Sequence, residues 1–106
     1  MDNYIQLFSL EGKKALITGG TGGLGGEIAK AFLSCGADVA VCGGHPEKAR
    51  ELSLYAESIG RTCIALRCDV TEEQDVQQMM NQISVSLQGL DIVVNSAGMN
   101  RLTAKQ

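Results

Sequence analysis

Tryptophan is absent from this sequence, and phenylalanine and tyrosine occur twice each. Such a chain has few rings to stack on unpaired bases. Cations are scarce too: nine Lys and Arg against twelve Asp and Glu leave a net charge of −3. No basic footprint for nucleic acid results. No apolar run approaches the roughly 20 residues that a membrane-spanning helix needs. Residues 1–12 lack the basic start and apolar centre of a secretory leader. These absences point to a cytoplasmic protein with neither nucleic acid nor membrane as a partner. The single histidine, His45, and four cysteines without Cys-x-x-Cys spacing do not make a zinc site. Cys35, Cys42, Cys63 and Cys68 are expected to be free thiols, buried or half-buried.

What the chain does have is glycine, crowded into Thr18-Gly19-Gly20-Thr21-Gly22-Gly23-Leu24-Gly25. An apolar run, Ala15-Leu16-Ile17, precedes this stretch, and a segment of helical periodicity follows it. Glycines gather at a strand-to-helix turn when something must approach the backbone closely. The free N–H groups at a helix start, with the positive end of its dipole, attract phosphate. In this context the turn reads as the pyrophosphate cradle of a dinucleotide fold.

The other elements follow in alternation. Lys14 to Thr18 reads as a strand buried on both faces. A helix is expected from about Gly23 to Cys35, with Leu24, Ile28 and Phe32 as its buried stripe, Ala29 beside it and Gly36 as its stop. Asp38 to Cys42 is a second strand, and Pro46 suits the first turn of a second helix. Ala49, Leu52, Ala56 and Ile59 would form that helix's inner face. Thr62 to Arg67 is a third strand. Thr71 and Gln74 have the spacing of a capping box for a third helix, with Val76, Met79, Met80, Ile83 and Leu87 as its stripe. Asp91 to Asn95 is a fourth strand. Phe8 and Leu10, in an arm over residues 1–12, are expected to pack on the domain edge.

This β-α-β-α-β-α-β pattern in 106 residues predicts one α/β domain. It is a Rossmann-type, doubly wound parallel sheet with three crossover helices. Right-handed crossovers and a reversal after the third strand give the order 3-2-1-4. The glycine turn, Asp69 and Asn95-Ser96-Ala97-Gly98 then fall on one rim.

Three motifs in this order resemble the short-chain dehydrogenase/reductase family over roughly residues 8–102. They are Thr18-Gly19-x-x-x-Gly23-x-Gly25, Cys68-Asp69-Val70 and Asn95-Ser96-Ala97-Gly98. The last departs from the family's Asn-Asn-Ala-Gly at Ser96. The glycine turn also fits the longer epimerase and dehydratase pattern through Gly22 and Gly25, but Asn95-Ser96-Ala97-Gly98 is close to the reductase branch. The opening Phe8 to Lys13 resembles both gluconate 5-dehydrogenases and 3-oxoacyl carrier-protein reductases.

The resemblance implies roles. Gly19, Gly23 and Gly25 would permit the turn and the pyrophosphate's approach. Thr21 would offer its hydroxyl to the phosphates or to the fourth-strand turn, and Leu24 would line the way to the nicotinamide. Asp69 would accept from the adenine amino group with Val70 beside the ring, unless it serves only the third helix's N-terminal flank. Asn95, Ala97 and Gly98 would border the ribose and crevice floor, or Asn95 would only tie the sheet together. NAD sites place an acid about 20 residues past the glycines. Here the stretch is Cys42-Gly43-Gly44-His45, without an acid and without an Arg. Gly44 and His45 are therefore cofactor-binding candidates, with Lys48 as a further cation, and NADP(H) is favoured over NAD(H).

Chemistry in that family needs Tyr and Lys four residues apart. Tyr4 and Tyr55 are followed at that spacing by Phe8 and Ile59. The expectation is therefore the cofactor half of an oxidoreductase that interconverts an alcohol and a ketone. The catalytic half is absent, so the chain alone is inactive. The fourth strand would be an open edge. The alternatives are a non-catalytic nucleotide-binding or sensing module and a truncated, self-associating remnant. Substrate and homo-oligomeric state are left open.

Overall fold

The computed structural model describes residues 7–69 and 71–96. Four strands and three helices alternate: β1 (Lys14–Thr18), α1 (Gly23–Ser34), β2 (Asp38–Cys42), α2 (Pro46–Ser58), β3 (Cys63–Leu66), α3 (Glu73–Leu87) and β4 (Ile92–Asn95). The strands form one sheet in the order β3-β2-β1-β4, and every pairing is parallel. The expected doubly wound sheet is thus present, with its three crossover helices.

Strand alternation sorts the core into two layers. Ala15, Ile17, Val39 and Val41 face one side with Ala29 and Leu33 of α1 and Leu52 and Ala56 of α2. Leu16, Ala40 and Cys42 face the other side with Met79, Ile83 and Leu87 of α3. Ala15, Ile17, Val39 and Val41 are fully inaccessible, as a strand covered on both faces requires. Register pairs Thr18 with both Cys42 and Asn95, and Cys42 with Leu66. The carboxyl ends of all four strands therefore finish level.

Several local expectations need correction. The buried face of α1 is Gly25, Gly26, Ala29 and Leu33, one residue along from the expected stripe. A side chain at Gly25 would meet the Gly19 carbonyl, and one at Gly26 the Lys48 side chain of α2. Ile28 and Phe32 pack along the edge of the core, and Leu24 is 51% exposed. The Thr71–Gln74 capping box does not form. Asp69 Oδ1 accepts both the N–H (2.9 Å) and the hydroxyl (2.6 Å) of Thr71, because a carboxylate is a stronger acceptor than a neutral side chain. α3 starts after Glu72, with no side-chain cap. Ile59 lies past the end of α2 and is exposed, as are Met80, Phe8 and Cys35. Leu10 does pack against the core.

Candidate functional site

The glycine stretch divides into residues that serve the turn and residues that leave room. Gly19 has φ +71°, a conformation suited to glycine. Its N–H donates to the Cys42 carbonyl at 2.7 Å, and that of Gly20 to the same oxygen at 3.2 Å. These bonds fasten the loop to the end of β2. A side chain at Gly25 would run into the Gly19 carbonyl and come within 2.7 Å of Ser96 Oγ. Gly25 is therefore required by helix-to-turn packing. At Gly23 a Cβ would meet nothing within 4 Å, so this glycine faces open space.

The first helical bond of α1 runs from Gly26 N–H to the Gly22 carbonyl at 2.8 Å. Gly22, the N-cap, has no side chain to cap the helix. The N–H groups of Gly23, Leu24 and Gly25 thus have no acceptor within the helix. A diphosphate fits that cradle by charge and by space.

Around it, side chains join the loops. The Thr18 hydroxyl donates to Asn95 Oδ1 at 2.9 Å. The Ser96 hydroxyl and N–H both donate to the Thr18 carbonyl, at 2.6 and 3.0 Å. Asn95 therefore ties β1 to β4 in this structure. Ser96, buried against Gly25, is itself part of the turn. Thr21 Oγ1 accepts from the His45 N–H at 3.2 Å and lies 3.5 Å from His45 Nδ1, so of the two expected roles it does not serve the turn after β4 but joins the loop after β2. Asp69 stands at the carboxyl end of β3, at the start of the link to α3. Val70, Ala97 and Gly98 lie outside the described residues.

A cavity of about 240 Å³ opens on this rim between Thr18, Gly22, Gly44, His45, Cys68 and Ser96. Burial, and then the neighbouring Cys68, raises the pKa of the Cys42 thiol. Burial and the Asp75 charge raise that of Cys68. Both thiols stay protonated at neutral pH, so neither puts negative charge on the rim. The Cys42 thiol donates to the Cys68 carbonyl at 3.7 Å.

Beyond His45 the chain brings in residues that sequence reasoning missed. Arg50 and Arg67 line a second cavity of about 350 Å³ that shares Gly43, Gly44 and His45 with the first. The signal was faint. Arg50 lies one helical turn past Pro46, and Arg67 one residue past the end of β3, so only the β2–β3 pairing makes them neighbours. Lys48 takes another direction. Its Nζ is 3.6 Å from Glu51, in a cavity rimmed by Glu27, Glu47 and Glu51.

The remaining Tyr–Lys–Ser grouping is structural. Tyr55 Oη lies 2.6 Å from Ser34 Oγ, and Lys30 Nζ sits 5.0 Å over the Tyr55 ring. Ser34 is the last residue of α1, about 16 Å from the cradle at the helix's other end. Among the described residues no group of His, Cys, Asp and Glu could hold a metal, and no helix is long and apolar enough to cross a membrane.

A glycine cradle at the first strand–helix turn, on the level carboxyl rim of a 3-2-1-4 parallel sheet, defines a dinucleotide-binding α/β protein. A sequence model of the short chain dehydrogenase family matches residues 13–106, and the chain belongs to that family. A short chain dehydrogenase/reductase of Gibberella zeae is 42% identical over 92 residues, covering 87% of this chain and 34% of that protein. A dehydrogenase/reductase structure from Sinorhizobium meliloti superposes with a TM-score of 0.83 at 34% identity, covering 91% of this chain and 38% of that one. A short chain dehydrogenase from Burkholderia cenocepacia, solved in complex with NADP, gives 0.75 at 38% identity, covering 81% and 36%. The chain spans about a third of the length of the Gibberella zeae protein and of a sorbose reductase from Candida albicans, and about half that of a Macrophomina phaseolina relative.

Proposed function

We propose that this chain is the cofactor-binding half of an NAD(P)-dependent oxidoreductase that interconverts an alcohol and a ketone. The observation that carries this reading is the convergence of the open α1 N-terminus, Asp69 and the β4 end on one rim. The free N–H groups of Gly23 to Gly25 would hold the diphosphate, and Leu24, 51% exposed, would line the nicotinamide side. Asp69 and Val70 would hold the adenine, and Asn95, Ala97 and Gly98 would border the ribose. Bound there, the cofactor supplies or accepts the hydride. The chain's own residues hold and orient it.

No Tyr with Lys four residues on occurs in the sequence. The chain by itself therefore lacks the proton-shuttling pair, and residues 1–106 alone are expected to be inactive. NADP(H) is favoured over NAD(H) because the loop after β2 carries His45 and no acid to hold a 2′-hydroxyl. Calorimetric titration of the full-length protein with NADPH and NADH tests the proposal. Tighter binding of NADPH is expected, and failure to bind either dinucleotide overturns it.

A further inference from the structure

Two of the four cysteines meet under the rim. Cys42 is the last residue of β2 and pairs in register with Leu66 at the end of β3. Cys68, two residues on, falls on the same side by strand alternation, and both pack in the layer facing α3. The Cys42 thiol lies 3.7 Å from the Cys68 carbonyl oxygen, and the two thiols are in hydrogen-bonding contact with each other. The other cysteines are placed apart. Cys63 packs in the opposite layer, and Cys35 is exposed past the end of α1. Cys42 and Cys68 both line the cavity of about 240 Å³ on the rim, and Cys68 also borders one of about 520 Å³ with Gly44 and Asp69. Each cysteine is tied to the rim as well. The Cys42 carbonyl accepts from the N–H groups of Gly19 and Gly20. Cys68 precedes Asp69, whose Oδ1 holds Thr71. A disulfide brings its sulfurs to about 2.05 Å. Closing that bond here would shift one or both of these segments and narrow the cavity they line.

We propose that Cys42 and Cys68 are a redox-active pair that hydrogen peroxide converts to a reversible disulfide, and that this disulfide and a bound dinucleotide oppose each other. The second half rests on the dinucleotide reading above. Cys68, the more accessible of the two, reacts first. Its thiolate attacks a peroxide oxygen, becomes a sulfenic acid and releases hydroxide. The Cys42 thiolate then attacks the Cys68 sulfur and expels a second hydroxide. The two thiol protons convert both hydroxides to water. Two thiols and one peroxide thus give one disulfide and two waters, with two electrons passing from sulfur to oxygen. Burial holds both thiols above their ordinary pKa, so the first step is slow at neutral pH.

The test treats the reduced full-length protein with hydrogen peroxide and maps its cysteines by peptide mass spectrometry. A Cys42–Cys68 cross-link is expected, reversed by dithiothreitol and absent from Cys42→Ala and Cys68→Ala. Cys68 ending as a sulfinic acid, or Cys35 linking two molecules, with no Cys42–Cys68 peptide, would overturn the pair. The wild-type map decides this even if Cys42→Ala fails to fold. A second measurement compares reduced and oxidised protein for NADP+ or NAD+, whichever binds the reduced form more tightly. Oxidation should weaken binding about tenfold. By linkage, saturating dinucleotide should raise the midpoint potential of the disulfide in glutathione buffers by about 30 mV, the same factor for a two-electron couple. Equal affinity in both redox states would overturn the proposal while leaving the dinucleotide reading intact. A reduced protein that binds neither dinucleotide would remove that reading, and the opposition with it.

Discussion

At the scale of single residues, the glycines of the turn have different tasks. Gly25 is fixed by the fold, since a methyl there meets the Gly19 carbonyl and Ser96 Oγ. Gly25→Ala should destabilise the protein by about 1–3 kcal/mol, the usual cost of overpacking, read as a lower urea midpoint. Gly23→Ala meets no protein atom and should keep or slightly raise stability, because alanine is the better helix former. It should nonetheless weaken dinucleotide binding, because the methyl would stand in the proposed diphosphate site. If Gly23→Ala bound cofactor as tightly as the wild type, the diphosphate would have to lie elsewhere. The sequence motif names these glycines alike; only the atoms facing each one separate them.

At the scale of elements, Asp38 at the start of β2 holds three segments together. Its Oδ2 accepts from Lys14 Nζ of β1 at 2.7 Å, and its Oδ1 from the Thr62 N–H just before β3 at 2.9 Å. Burial alone would raise its pKa. The bond and charge of Lys14, the Thr62 N–H and the charge of Arg61 outweigh burial and hold it below the ordinary value of 3.8. A carboxylate with a depressed folded pKa stabilises above its unfolded pKa and loses that contribution as pH falls through the folded value. Asp38→Asn should therefore cost about 1–3 kcal/mol at pH 7. The gap from wild type should close as the pH falls below 3.8, in urea melts taken across that range. A gap independent of pH would mean that shape, not charge, is what Asp38 contributes.

At the scale of the whole molecule, the two faces of the sheet are unequally covered. α1 and α2 share one face, while α3 alone packs on the other among the described residues. Among the described residues β4 is an edge strand, and Val93 at its centre is 59% exposed. A parallel apolar edge invites pairing with another chain. Residues 1–106 produced alone should therefore self-associate as concentration rises, measured by light scattering after size exclusion. Val93→Lys should reduce that association. If residues 1–106 stayed monomeric throughout, the edge would be protected by residues outside those described.

The sequence by itself determined the element order, the parallel sheet and the place of the glycine cradle. Alternation of apolar runs, helical stripes and turn glycines is local information, and handed crossovers leave few topologies open. Tertiary structure alone decided which face of α1 is buried, because that depends on the atoms that face Gly25 and Gly26. It likewise decided that Thr21 reaches His45, that Thr18 and Ser96 lock β1 to β4, and that Arg50 and Arg67 share a groove. Those contacts join residues far apart in the chain. Strand register sets them, and no spacing along the sequence encodes it.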